Sequence, residues 1–286
     1  MNVLSKEKQC QILSCLVEGN SIRATCRMTG TAKGTVTRLL VRVGKACSAY
    51  QDEVLVNLHC SRIECDEIWS FCYAKQKNLP EDLQGKEGYG TIWTWVALDS
   101  DSKLVISWFI GHRDEESAYT FMEDLEPRLK NKVQLSTDGL RAYENAVQGT
   151  FGKRVHYGMV EKQYGRIFFE TEEHERRYSP HECIGMEKKK ISGRPKKKFI
   201  STSFVERQNL TMRMSMRRFT RLTNGFSKKV ENLEAAVALH FMYYNFCRPH
   251  QSLNPKRSLG ITPAMVAGIA DHQWMIEEII KLMIDS

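Results

Sequence analysis

Three β-rich runs in succession, followed by one helical run and a fourth short strand, constrain this chain more than any other feature. Residues 62–71, 89–98 and 104–110 are rich in β-branched and aromatic side chains, and Asp99-Ser100-Asp101-Ser102 supplies a hairpin turn between the last two. Glu115 to Lys130 then carries Ala118, Phe121, Met122 and Leu125 at helical spacing, and Val133 to Thr137 reads as a strand that stops at Asp138-Gly139. A strand reached through a helical crossover joins the antiparallel strands in a mixed sheet with helices packed on it. The expected fold class is therefore α/β.

The sheet is flanked by helical sequence on both sides. Residues 5–50 read as three helices, Lys6 to Glu18, Ser21 to Met28 and Ala32 to about Cys47, with Gly30 in the tight connection before the third. In that third helix Val36, Leu39, Leu40 and Val43 form one apolar stripe, and the opposite face carries Lys33, Thr35, Arg38 and Arg42. This is the layout of a helix-turn-helix whose last helix enters a major groove; a plain three-helix cap with a solvated basic face has the same pattern. Toward the other end, helices are expected at Ser203 to Leu222, Lys229 to Phe246 and around His272 to Ile284.

Between these regions the periodicity weakens. Lys153 to Tyr157 and Arg166 to Glu170 are short strand candidates, and then seven of the residues from Lys188 to Lys198 are Lys or Arg, interrupted by Ser192-Gly193 and Pro195. The segment is expected to be an exposed, mobile loop. Lys196, Lys197 and Lys198 either form part of a solvated charge run or track a nucleic-acid backbone.

A net charge of +8 is compatible with a polyanionic partner, because clustered Lys and Arg displace condensed counterions from nucleic acid. The nine cysteines form no Cys-x-x-Cys pair and no secreted disulfide framework, so reduced, mostly buried thiols are expected. No charged leader followed by an apolar run is present, and no stretch is apolar enough to cross a bilayer. A cytoplasmic protein with no membrane partner is the expectation.

Against this basic background, Asp66 and Glu67 open the aromatic run CDEIWSFCYAKQ. Asp66 lies in the first strand, Asp138 at the end of the fourth and Glu206 in the first turn of a later helix, which are positions where a fold assembles sites. Glu206 alone reads as a first-turn Glu favoured by the helix dipole, and Asp138 alone as a turn Asp before Gly. Three convergent carboxylates repel one another unless a cation sits among them, and hard oxygen donors suit Mg2+ or Mn2+. A pair of such ions serves an in-line phosphoryl displacement. On the helix of Glu206, Asn209 and Arg213 share its face and Arg217 and Arg221 continue near it, so one side could ligate metal and contact phosphates together. Regular alternation puts Glu64 on the side of Asp66 and Glu67 on the opposite side. Glu144 is a reserve third ligand.

The blocks CDEIWSF, WVALDSDSKLVISWFIGHRDEESA, STDGLRAY, FVERQNLTMRMSMRRFTRLTNGFSKK and YYNFCRPHQSL followed by TPAM resemble the DDE transposases of bacterial and archaeal insertion sequences, most closely the insertion-sequence-one type. The resemblance covers nearly everything from about residue 60 onward. It implies a ribonuclease H-like core over residues 60–250, with a basic insertion around 151–200, followed by a helical tail over 251–286; the helical pattern before it sets an expected helix-turn-helix domain over 1–52. It implies Asp66, Asp138 and Glu206 as the catalytic triad and ligands of Mg2+ or Mn2+, with two ions. The implied activity is metal-dependent cleavage at transposon ends and attack of the exposed 3'-hydroxyl on target DNA, with double-stranded DNA as partner and a homo-oligomer holding two ends. A nuclease without strand transfer and a transposase-derived DNA-binding regulator are the alternatives.

Overall fold

A computed structural model describes residues 4–165, 183–220, 223–254 and 260–283. Its elements, in chain order, are α1 (Lys6–Val17), α2 (Ile22–Thr29), α3 (Lys33–Val54), β1 (Arg62–Cys72), β2 (Gly90–Asp99), β3 (Val105–Gly111), α4 (Glu115–Leu125), β4 (Val133–Asp138), α5 (Ala142–Phe151), β5 (Val155–Tyr164), β6 (Cys183–Ser192), α6 (Ser203–Ser215), α7 (Val230–Met242), α8 (Pro263–Val266) and α9 (Ile276–Lys281).

The six strands form one sheet in the order β3-β2-β1-β4-β5-β6. The β1-β2-β3 meander is antiparallel, β4 and β5 add in parallel beside β1, and β6 returns antiparallel. This is the expected mixed α/β sheet, and its 3-2-1-4-5 order is that of a ribonuclease H-like core. The hairpin turn closes as Asp99 accepts hydrogen bonds from the Ser102 amide (2.8 Å) and hydroxyl (2.5 Å).

Alternation along the strands divides the core between two faces. Trp95 points to one face and stacks edge-on against Tyr143 of α5 at 5.2 Å, with Phe121 of α4 at 5.9 Å. On the other face Trp108 meets Phe241 of α7, and the Asn245 side chain bonds both backbone groups of Val105. Asp66 pairs in register with Val96, and Val96 with Trp108, so Asp66 belongs to this second face, covered by α6 and α7.

The amino-terminal helices continue the same hydrophobic core. Ser5 and Ser21 cap α1 and α2, and Gly30 adopts the left-handed conformation (φ 64°) that lets the chain turn into α3. The stripe Val36, Leu39, Leu40 and Val43 is buried as expected. It runs on to Gly44, which lies against Ala235 of α7, and to Gln51, whose amide donates to the Ala238 carbonyl at 3.2 Å. These contacts extend α3 to Val54, beyond the expected end near Cys47.

Several sequence expectations change. The basic segment is not a loop through Lys188–Lys190: these residues lie in β6, paired with Val160, Met159 and Gly158 of β5. The edge of the sheet supplies backbone partners that a charge count does not register. The expected helix to Leu222 stops at Ser215, where Met216 becomes extended and Thr220 donates its hydroxyl to the Arg213 carbonyl at 2.9 Å. The Lys229 to Phe246 helix changes to a π-turn at Tyr243–Cys247, and the terminal helix covers only Ile276–Lys281. The strand expected at Arg166 to Glu170 falls outside the described residues. All nine cysteines are free thiols. Among the described residues no helix is long and apolar enough to cross a membrane.

Candidate active site

Register alone sets two carboxylates side by side. Cys65 of β1 pairs in parallel with Thr137 of β4, so Asp66 and Asp138 are the next residues on adjacent strands. Neighbouring strands lie about 4.8 Å apart. β4 ends at Asp138, which accepts the Leu140 amide at 3.0 Å and so turns the chain away from the sheet.

Oxygens of Asp66, Glu67 and Asp138 all lie within 4.8 Å of one another. Glu67 was set aside on alternation, and it does sit on the α4/α5 face. At the end of β4 its carboxylate still reaches Asp138. Arg113, just beyond β3, holds it there, donating to Glu67 at 3.0 Å and to Asp138 at 3.5 Å. The guanidinium rests on the Trp93 ring at 4.8 Å. The signal for Arg113 was its place at the end of a strand adjacent to β1's neighbour, inside a block already noted for its resemblance.

Helix α6 covers the opposite side of Asp66. Asn209 donates its side-chain amide to Asp66 at 2.9 Å. Glu206, expected as the third member of the triad, is outside the group formed by Asp66, Glu67 and Asp138: it lies one turn earlier, receives the Thr202 hydroxyl, and pairs with Lys162 of β5 at 2.6 Å. Asp138 is level with Val160, which places Lys162 two residues along on the same face. Buried Glu64 fixes the helix itself, accepting the Phe204 and Val205 amides at 2.7 and 3.2 Å. An anionic acceptor at a helix amino terminus satisfies orphan donors and complements the macrodipole. Glu64 thus shares the face of Asp66, as alternation required, and anchors the element that carries Glu206 and Asn209.

Electrostatics follow from this crowding. Burial first, then the charges of Glu67, Asp138 and Glu206, push Asp66 up to about 8. Burial and Asp138 raise Glu67 to about 7, against Arg113. Burial also raises Asp138, opposed by the Leu140 amide, Arg113 and Lys162. Lys162 is held above its ordinary value by Glu206, although burial works the other way. Buried Tyr143 lies beside Glu67 and favours its charged form, while Asn209 Oδ1, buried at the cluster, has no hydrogen-bond partner. Hard, crowded, partly unpartnered oxygen donors fit a divalent cation of the Mg2+ or Mn2+ type.

The remaining sequence candidates are spread around this centre. Lys33, Arg38 and Arg42 are exposed along α3, and half-buried Thr35 accepts from Arg38 at 3.4 Å. Lys196, Lys197 and Lys198 are exposed beyond β6; the Lys196 backbone exchanges hydrogen bonds with Gln134, and Lys198 lies over Phe199. Arg213 lies near the end of α6, and Arg217 is exposed in the turn after it. The helical row expected through Arg217 and Arg221 is therefore broken, and Arg221 is outside the described residues. Glu144 is exposed on α5 and does not join the cluster.

No family model matches this sequence, and no curated protein does. Solved structures that it resembles include "Crystal structure of the Mos1 Strand Transfer Complex", at 13% identity and TM-score 0.22, covering 53% of this chain and 57% of that one. "Crystal structure of a pre-cleavage Mos1 transpososome" is 11% identical with TM-score 0.24, covering 55% and 60%. "Crystal structure of the Mos1 mariner paired end complex with Mn" is 11% identical with TM-score 0.20, covering 52% and 58%. The matched region is less than two thirds of those chains, and likeness at this level carries no functional argument.

Proposed function

We propose that this chain is a DNA transposase of the DDE type, most similar to the insertion-sequence-one group, which cleaves DNA at transposon ends and joins the 3'-hydroxyl to target DNA. The observation that carries this reading is the meeting of Asp66 and Asp138, from adjacent parallel strands, with Asn209 bonded to Asp66 from a helix that also bears Glu206 and that β1 itself anchors through Glu64. Asp66, Asp138 and Glu206 are the catalytic carboxylates in this reading, with Glu67 an additional ligand candidate because its oxygen belongs to the cluster. Mg2+ or Mn2+, when bound by these oxygens, supplies electrophilic stabilisation of attacking and leaving oxygens in phosphoryl transfer.

The chain's own groups prepare the site. Asn209 fixes the orientation of Asp66, and Arg113 holds Glu67 and Asp138 together. Lys162 occupies Glu206 until another cation competes for it. Residues 1–52 are assigned to end recognition through Lys33, Thr35, Arg38 and Arg42, with Lys196 to Lys198, Arg213, Arg217 and Arg221 as backbone contacts. The working unit is a homo-oligomer that holds two double-stranded ends.

A second reading has support of its own. Arg113 and Lys162 already balance part of the acidic charge, as a DNA-binding regulator without metal chemistry would need. A cleavage and joining assay on DNA flanking the gene, with wild type beside Glu206→Gln, separates the two. Joined products that require Mg2+ or Mn2+ and vanish in the variant support the transposase. End binding without cleavage by wild type supports the regulator.

A further inference from the structure

The block RPHQSL takes no part in the carboxylate site, although it lies close to α6. Its Arg248, Pro249 and His250 instead form one wall of a separate cavity of about 400 Å3, with Arg207 and Thr211 of α6 opposite and Lys103 of the β2-β3 hairpin at the side. Four basic side chains thus converge from three separate parts of the chain. Among the described residues the lining contains no acidic side chain.

Three of the four basic groups are held in place by neighbours, while Arg207 is exposed on α6. Lys103 donates to the Ser100 carbonyl, its ammonium lies 3.5 Å from the centre of the Phe204 ring, and the Tyr244 hydroxyl donates to its carbonyl at 3.0 Å. His250 shares a hydrogen bond with Ser252 at 3.0 Å, and Arg248 donates to Ser215 at 3.3 Å. Burial lowers the pKa of His250, and the charges of Lys103, Arg248 and Arg207 lower it further. Asp99, Asp101 and Glu64 already offset Lys103, so the like charge left for an anion to relieve is that of Arg207 and Arg248.

We propose that this cavity is a phosphate-binding pocket that takes one phosphodiester of a DNA strand, Arg207 and Arg248 supplying the charge-assisted hydrogen bonds. The proposal rests on the reading of the chain as a DNA-processing enzyme. Guanidinium groups suit phosphate because their planar donors engage two oxygens together. The cavity has room for an adjoining sugar as well, beside the apolar surfaces of Leu98 and Pro249. Arg207 follows Glu206 directly, so α6 presents neighbouring faces to the carboxylate cluster and to this pocket. A strand anchored here is held by the same rigid helix that bears the catalytic carboxylate.

The test measures binding of a labelled DNA duplex by the full chain across a range of salt concentrations. The double variant Arg207→Gln/Arg248→Gln is compared with Lys86→Gln/Lys130→Gln, which removes equal charge from exposed positions elsewhere. Loss of the one phosphate these two residues hold should weaken binding about tenfold and lower the log-log salt slope by about 0.9. Equal behaviour of the two double variants would overturn the pocket. Separately, the His250 imidazole resonance, assigned with His250→Asn, is followed with duplex and with inorganic phosphate. A shift with duplex that phosphate reverses by competition is expected; a shift with phosphate that duplex neither causes nor displaces would make free phosphate the ligand and overturn the DNA assignment. Cleavage by wild type with unchanged slopes in the double variant would refute the pocket alone, whereas a lowered slope without wild-type cleavage would refute only the enzymatic reading.

Discussion

Asp66 and Asp138 owe their proximity to one register, and that makes their response to metal specific. A cation bound only by the folded state stabilises it, by about 2.7 kcal/mol at a concentration 100 times Kd. Calorimetric unfolding with Mg2+ or Mn2+ should show a corresponding rise in Tm for wild type and little or none for Asp138→Asn. An equal rise in both proteins would place the ion elsewhere. Glu64 is expected to behave differently because its partners are backbone amides of α6. Glu64→Ala leaves one buried and one part-buried donor unsatisfied and should lose about 2 kcal/mol in urea titration, whether or not metal is present. Stability within about 0.5 kcal/mol of wild type would show that water replaces the carboxylate there.

Helices α3 and α7 meet where Gly44 faces Ala235, and a Cβ on Gly44 would overlap the Ala235 backbone. Gly44→Ala improves helix propensity by about 1 kcal/mol, yet overpacking of this kind costs about 1–3 kcal/mol. A net loss of stability is expected in urea titration, and a gain would mean that the helices separate easily. On α7, burial and then Arg248 lower His240 from 6.5 to about 3, so the folded protein keeps this imidazole neutral. The unfolded chain takes up a proton below 6.5 that the folded chain refuses until about 3. The stabilisation is therefore complete above 6.5 and falls by up to about 1.4 kcal/mol per pH unit toward 3. Urea titrations at about pH 7 and pH 5 should show this slope, reduced in His240→Asn; identical slopes would clear His240 of the effect. At this scale the sequence reveals periodicity and little of what ends it. The stripe of α3 was legible, whereas the stop of α6 at Ser215 depends on Thr220 folding back to Arg213, a contact between residues outside any local pattern.

The first four strands and their mixed sheet were legible because each run carries its own composition and a helical crossover precedes the fourth, whereas β6 lies in a segment that reads as a basic loop. Asp66 and Asp138 were legible for the same reason, since their places at a strand and a strand end follow from that order. Glu67, Arg113 and Lys162 were not, because each enters the centre through the tip of a long side chain, which alternation along a strand does not locate. The same limit applies to the basic surface. Arg38 and Arg42 are exposed on α3, but α3 is also packed on α7, so the recognition role proposed for α3 would be exercised by an element of the core's framework. A rigidly carried recognition helix should contribute phosphate contacts whose loss adds independently, because the substitutions leave the apolar stripe untouched. Arg38→Ala and Arg42→Ala are each expected to lower the salt slope of duplex binding by about 0.9, and together by about 1.8, with unchanged Tm. An unchanged slope in the double variant would remove α3 from the proposed DNA interface and leave the three helices as a cap on the sheet.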